Sequence, residues 1–341
     1  MDLQNKTIII TGASSGIGAA AALLFCDAKA NLVLGARRPS ELKAVASRDA
    51  VKRQAFSKEH KPSHSFESYK ALVECADVDA IYVATPHGFH YEHVMLCLKN
   101  RKAVLCEKAF ALNLAQAREM VDYARKHKVF LMEAFWTRFL PQYQAVLEII
   151  RSGRIGEVKF IQSDFGFKAP EPKAQRLFDP VLGGGSLLDI GIYPVFMAQS
   201  ILGKPTQVHA FITPYESGVD EQCAITMKFA GGALAVLSST FAVETPVEAL
   251  IAGTQGRIVM RNRFHNAVGT VELVTNRDEV QMIDVHREEG FGYQFETRHV
   301  NECLRKGLTE SPVMTHADTL MLMETLDRVR KTCDVRYNVD V

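Results

Sequence analysis

The 341-residue chain lacks most of the features that would assign it quickly. Its seven cysteines, at positions 26, 75, 97, 106, 223, 303 and 333, contain no C-x-x-C pair. An odd, dispersed set argues against a disulfide framework and a thiolate metal site, and suits a reducing compartment. Charge of either sign is also missing in excess: 40 Lys and Arg against 39 Asp and Glu leave a net charge of +1. That balance gives no electrostatic reason to expect nucleic acid or a membrane surface as partner. The longest apolar run, Ala19–Cys26, is too short to cross a bilayer. No basic stretch followed by a long apolar one opens the chain, so a cytoplasmic location is expected. Repeats and low-complexity tracts are absent. What remains is the composition of a globular protein, 47% hydrophobic and 23% charged, long enough for two domains.

The first third alternates short β-branched runs with helical patterns, which predicts βαβ units and a parallel sheet. "KTIIIT", "NLVLGA", "AIYVATP", "AVLCEKAF" and "VFLMEAF" read as strands, with "GIGAAAALLFCDAKA", "FESYKALVECADV", "YEHVMLCLKNR" and "NLAQAREMVDYARKHK" as helices between them. After about residue 135 long alternating strands take over: "GEVKFIQSDFGF", "TQVHAFITP", "CAITMKFAGGALAVLSSTFAV", "GRIVMRN" and "AVGTVELVTNRDEVQMIDVH". They predict a largely antiparallel open sheet, covered by helices at "GSLLDIGIYPVFMAQSILG", "GYQFETRHVNECLRKG" and "HADTLMLMETLDRVRKT". The expected fold is α/β: a Rossmann dinucleotide-binding domain over 1–134, then an α+β substrate and dimerisation domain over 135–341.

Residues 11–18, "TGASSGIG", follow a strand and open a helix. Gly12 permits the tight turn, Gly16 lets the backbone approach a phosphate, and Gly18 lets helix and strand pack closely. Exposed N–H groups and the helix dipole favour an anion there, with Ser14, Ser15 and Ile17 in the same turn. About twenty residues on, a fold that prefers NAD places an acidic residue on the ribose. Here stand Arg37 and Arg38, whose guanidinium groups suit a 2′-phosphate, so the expected cofactor is NADP.

Through residue 43 this opening resembles the short-chain dehydrogenases. Those enzymes also need a Tyr-x-x-x-Lys pair, and none of the nine tyrosines has lysine four places on. From about residue 44 the strings "ADVDAIYVATPHGFHYEHVMLCLKNRKAVLCEKAFALN", "LMEAFWTRFLP" and "RLFDPVLGGGSLLDIGIYPV" resemble instead the Gfo/Idh/MocA oxidoreductases, in their dihydrodiol and D-xylose dehydrogenase branch. The chain reads as a fusion, or chimera, of one family's first β-α-β unit with another family's body. At the junction either "NLVLGA" or "AVASRD" is the working second strand, and correspondingly Arg37 and Arg38 or residues 47–49 read the ribose. The distance of "NLVLGA" from Gly12 favours the former.

The resemblance implies an NADP-dependent dehydrogenase acting on a small diol or sugar, active as a homodimer, with no metal. It implies Lys108, Asp189 and Tyr193 as catalytic residues. Thr85, Pro86, His90, Glu107 and Lys108 join the glycine turn as cofactor contacts. The family usually has proline after this lysine, where this chain has Ala109. Asp189 and Tyr193 are four apart, one helical turn on one face, and Pro194 fits if it lies in a helix's first turn. A phenol is a poor base unless a cation favours its ionised form, and Lys108 is the expected cation. Histidines 87, 90 and 93 are spaced so that the third rotates off the face of the first two, which excludes a metal. Trp136, Arg138 and Phe165 are expected at an aromatic-tolerant substrate pocket. The alternatives are a short-chain-dehydrogenase-type reductase and a non-catalytic NADP-binding protein.

Overall fold

The structure is a computed structural model, described here for residues 7–10, 31–33, 44–46, 51, 54, 57–58, 64–170, 175–275 and 279–340. Gly12, Ser14, Ser15, Gly16, Ile17, Gly18, Arg37 and Arg38 lie outside the described residues. The chain divides into two units, one of residues 1–111, 115–136 and 289–319, the other of 112–114, 137–288 and 320–341.

In the first unit β1 (Thr7–Ile10) pairs in parallel with β2 (Asn31–Val33). β3 (Ala44–Ala46) pairs in parallel with β4 (His64–Phe66) in a separate two-stranded sheet. Both candidate second strands therefore exist, and "NLV" is the one beside β1. β5 (Ala80–Val83), β6 (Ala103–Glu107) and β7 (Leu131–Ala134) complete a five-stranded parallel sheet of order β2-β1-β5-β6-β7. Every residue of β5 and β7 is buried. That pattern belongs to strands covered on both faces, as the crossover helices of a parallel sheet require. Among the described residues those helices are Tyr69–Glu74, capped by the Ser68 hydroxyl on the Ala71 amide, His90–Lys99 and Leu114–His127. The chain runs from β1 to one side and returns on the other, so the strand order reverses between β1 and β5. Outside the carboxyl ends of strands at such a point a doubly wound sheet opens its ligand crevice.

The second unit is built on eight strands: β8 (Val158–Gly166), β9 (Gln207–Pro214), β10 (Asp220–Lys228), β11 (Leu234–Thr240), β12 (Ala249–Gly253), β13 (Gly256–Arg261), β14 (Thr270–Thr275) and β15 (Val280–Met282). Their order is β15-β14-β13-β12-β8-β11-β10-β9, and among the described strands only β8 and β11 run parallel. Burial alternates along β10, where Cys223, Ile225 and Met227 face inward while Ala224, Thr226 and Lys228 face out. On the outward face Phe211, Leu234 and Val236 are exposed. The inner face receives the helix Ile192–Leu202, buried over its first eight residues. The apolar stretch Pro180–Leu202 has the length and hydropathy of a membrane span, yet 89% of its window is buried within the protein, as expected of a core helix.

Two expectations need correction. The second domain does not take all of 135–341, because residues 289–319 belong to the first unit. Leu131 at the start of β7 bridges in parallel to Glu310, and Tyr293 stacks on Trp136 at a centroid distance of 4.5 Å, so this return segment extends the first unit's core. Pro194 is also not in the first turn of its helix. Helical backbone begins at Ser186, passes through a π turn over Leu187–Gly191, and continues as the helix Ile192–Leu202. Proline gives no N–H to the preceding turn and its ring crowds the carbonyl four residues back. The wider π turn stands where that crowding falls, a placement frequent at functional sites.

Candidate active site

In the first unit the candidate residues gather at the carboxyl ends of β5 and β6. Thr85 and Pro86 follow β5, Glu107 ends β6, and Lys108 follows it, 6% exposed. The Lys108–Ala109 peptide bond is cis. His90, fully buried, joins the two strand ends: its Nδ1 lies 2.8 Å from the Ala109 carbonyl and its Nε2 2.7 Å from the Thr85 carbonyl. Burial pulls its pKa down to about 4, assisted by His93 and the Lys108 cation, while the two carbonyls act the other way. The ring is therefore neutral at physiological pH and donates to one carbonyl at a time. His90 is a brace between the loops that would line a cofactor crevice, with one ring nitrogen beside each backbone carbonyl. His93 Nδ1 lies 3.0 Å from the Thr85 hydroxyl, which fixes the same loop from its other side. The Glu107 carboxylate accepts a hydrogen bond from the Tyr82 hydroxyl inside the unit, and buried Glu296 faces the same group. Glu107 thus has a structural partner behind the strand end.

In the second unit Asp189 sits in the π turn and Tyr193 one turn later, 7% and 5% exposed. Both Asp189 oxygens accept from Arg176, Nη1 to Oδ1 at 3.2 Å and Nη2 to Oδ2 at 3.1 Å. This forked pairing fixes the plane of the carboxylate as well as its charge. Around Tyr193 stands an aromatic wall. Phe165, on β8, lies 5.7 Å away between ring centroids, and His265 lies 4.8 Å from Tyr193 and 4.2 Å from Phe165. The His265 loop is pinned by the Thr137 hydroxyl, which donates to the His265 carbonyl at 2.9 Å. A phenol held by neighbouring rings on a helix turn shared with a carboxylate is equipped to take or give a proton at a bound hydroxyl.

The sequence matches two family profiles in succession: the "Oxidoreductase family, NAD-binding Rossmann fold" over residues 7–135 and the "GFO/IDH/MocA C-terminal domain" over residues 143–259. The chain belongs to the Gfo/Idh/MocA oxidoreductase family. Among its relatives is a trans-1,2-dihydrobenzene-1,2-diol dehydrogenase of Xenopus laevis, 38% identical over 302 residues that cover 86% of this chain and 90% of that one. The protein of the same name from Homo sapiens is 33% identical over 326 residues, 93% and 96% of the two chains. Similar folds are seen in an aldose-aldose oxidoreductase from Caulobacter crescentus with glycerol (TM-score 0.82, 21% identity, 96% and 97% coverage). A 3-ketoreductase from Actinomadura kijaniata in complex with NADP is as close in fold (TM-score 0.81, 24% identity, 96% and 97% coverage). The protein is accordingly a dehydrogenase of this family acting on hydroxyl donors, with a nicotinamide-binding Rossmann domain.

Within this Gfo/Idh/MocA frame the sequence-predicted residues fall into two groups. Asp189, Tyr193 and Phe165 share the second unit, and Phe165 and Tyr193 are in ring contact. Lys108, Thr85, Pro86, His90 and Glu107 share the first. Trp136 belongs to the first unit, stacked on Tyr293, while Arg138 is half-buried in the second. Sequence reasoning did not single out Arg176 or His265. Arg176 opens the quoted string "RLFDPVLGGG", but its partner is thirteen residues away across a glycine-rich turn. His265 follows the turn after β13, where Asn262 and Arg263 both have positive φ, and no spacing rule ties that turn to Tyr193.

Proposed function

We propose that the protein is an NADP-dependent dehydrogenase oxidising a vicinal diol, a trans-dihydrodiol of an aromatic ring, or a pyranose such as D-xylose at its anomeric carbon. The observation that carries this reading is the Asp189–Tyr193 helix turn set against Phe165 and His265. A flat apolar wall beside a proton-transfer group suits an aromatic or pyranose ring bearing hydroxyls, and the dihydrodiol dehydrogenases in the family support the diol.

The cofactor fits the first unit on structural grounds: the sheet order reverses between β1 and β5, and the loops after β5 and β6 are braced by His90. Thr85, Pro86 and Lys108, with the glycine turn at 12–18, are the residues proposed to hold it, and Arg37 with Arg38 to choose the phosphorylated form. A bound nicotinamide supplies hydride acceptance. Tyr193 is the proposed acceptor of the hydroxyl proton, Lys108 the cation that favours its phenolate, and Asp189, fixed by Arg176, the group that orients the substrate hydroxyl. The outward sheet face with Phe211, Leu234 and Val236 supports a homodimer, and the scattered cysteines support the cytosol.

The test is cofactor reduction by the purified protein with NADP or NAD and a panel of trans-dihydrodiols and pyranoses, beside cofactor binding by fluorescence. NADP reduction with a diol or pyranose, abolished in Tyr193→Phe, is the expected result. Tight NADP binding with no turnover on any member of the panel would favour the non-catalytic alternative.

A further inference from the structure

Under the helix that carries Asp189 and Tyr193 lies a carboxylate that the proton transfer does not use. Asp220 opens β10 and is 1% exposed. Its Oδ2 accepts from the Leu187 amide at 2.6 Å and from the Ser186 hydroxyl at 2.7 Å, and the Ser186 hydroxyl also lies 2.9 Å from that of Ser239. Ser186 and Leu187 are the first residues of the helical segment, where backbone N–H groups have no partner within the helix. Two residues beyond Leu187 is Asp189, and one turn beyond that is Tyr193. The chain is shaped to allow this approach. A Cβ on Gly185, whose φ is +116°, would stand 2.5 Å from Asp220 Oδ1, and one on Gly191 would stand 2.8 Å from the Ser239 hydroxyl.

A serine or asparagine would cap the helix without the desolvation cost of a buried charge. The charge therefore calls for an explanation beyond stability. We infer that Asp220 is a positioning residue: its carboxylate anchors the first turn under Asp189 and Tyr193, and its protonation loosens that turn. The inference rests on the proposed role of Tyr193. Burial raises the Asp220 pKa to about 6, against the pull of Ser186, the Leu187 amide and the Arg330 cation. The other titratable groups facing it are Tyr337 and Cys223, both kept neutral by burial. Below that pH the acid gains a proton, and the charge-assisted bonds to Ser186 and Leu187 weaken to neutral ones.

The test compares wild type with Asp220→Asn, which keeps an oxygen for the Leu187 amide and removes the titration. In wild type kcat falls by a further step as pH drops through about 6, beyond the limb set by the proposed base, while cofactor affinity holds; in Asp220→Asn that further step is absent. Ser186→Ala removes a bond that favours the carboxylate, so its limb moves to higher pH. Asp220→Ala loses about tenfold to a hundredfold in kcat, the scale expected when a reacting group is displaced by about an ångström. Amide hydrogen exchange over 186–193, corrected for its intrinsic pH dependence, reads the same loosening without any assay of activity. Accelerated exchange below about pH 6 in wild type and not in Asp220→Asn supports the inference. Identical exchange profiles, or the same further step near pH 6 retained in Asp220→Asn, overturn it. Full turnover in Tyr193→Phe overturns instead the reading of the reaction, and the exchange comparison still decides whether Asp220 anchors the turn.

Discussion

Glu133 offers a sharp quantitative test of the first unit. It sits on β7, 1% exposed, beside β6, the strand that Lys108 follows. Burial raises its pKa to about 8, with Glu107 and Asp318 pushing the same way; Thr319 and the Phe110 backbone pull it down, but neither carboxyl oxygen has a hydrogen bond of normal geometry. In the unfolded chain the group titrates near its ordinary 4.5. The sign follows from linkage. Below pH 4.5 both states carry the proton and the group is neutral in its effect. Between 4.5 and 8 the unfolded chain releases the proton while the fold retains it, so stability falls by about 1.4 kcal/mol per pH unit. Across the whole window the loss is about 5 kcal/mol, and above pH 8 it is constant.

Glu133→Gln removes this titration while keeping nearly the same shape. The expected outcome is a variant whose melting temperature exceeds that of wild type by a margin that grows from pH 5 to pH 8.5. At a domain of this size about 1 kcal/mol moves the midpoint by roughly 2–4 °C, so the margin should widen by roughly 10 °C. Scanning calorimetry at five or six pH values reads it directly. A margin that is constant with pH would refute the buried, protonated state of Glu133, even if the variant were more stable throughout.

Tyr193→Phe should fold, bind cofactor normally and lose about 10²–10⁴-fold in kcat, as expected when a general base is removed; near-normal turnover in steady-state kinetics would eliminate the tyrosine. If Lys108 favours the Tyr193 phenolate as proposed, Lys108→Met should lower kcat and shift to higher pH the limb along which the rate rises; an unmoved limb counts against that role. Arg176→Lys keeps a charge but gives up the fork on Asp189, so kcat should fall with little change in melting temperature, and an unchanged kcat would free Asp189 from dependence on its plane. Replacing Arg37 and Arg38 with alanine should weaken NADP binding by about tenfold or more per contact while leaving NAD nearly unaffected, measured by fluorescence titration.

Much of the fold was legible because periodicity survives folding. The alternation in "CAITMK" is the inward and outward alternation of β10, and the unbroken "AIYV" is a strand buried on both faces. The helix Pro141–Arg151 carried its signals too, proline at its first position and apolar residues on one face, but it lies where the rhythm changes between domains. β12, five residues ending in glycine, is too short for alternation to distinguish it from a loop. In the site, Asp189 and Tyr193 were legible because both lie on one helical segment. Asp220 was not: it reaches Ser186 and Leu187 from 33 and 34 residues away through tertiary packing, and "GVDEQ" has the look of a solvated turn. Arg176 and His265 stayed hidden for the same reason. Local spacing reports neighbours along an element; it is silent about neighbours delivered by a turn and another strand.

The two candidate second strands take places in different sheets. A parallel sheet assigns function by position, since the strand beside β1 is the one whose carboxyl-end loop faces the cofactor ribose. β2 holds that position through pairing of Thr7, Ile8 and Ile9 with Asn31, Leu32 and Val33. β3, which precedes residues 47–49, pairs with β4 in a sheet of its own. We propose that the residues after Val33, rather than those after Ala46, read the ribose. On that proposal Arg37 and Arg38, and not Arg48, would select the cofactor. β3, the alternative second strand, pairs with β4 and not with β1.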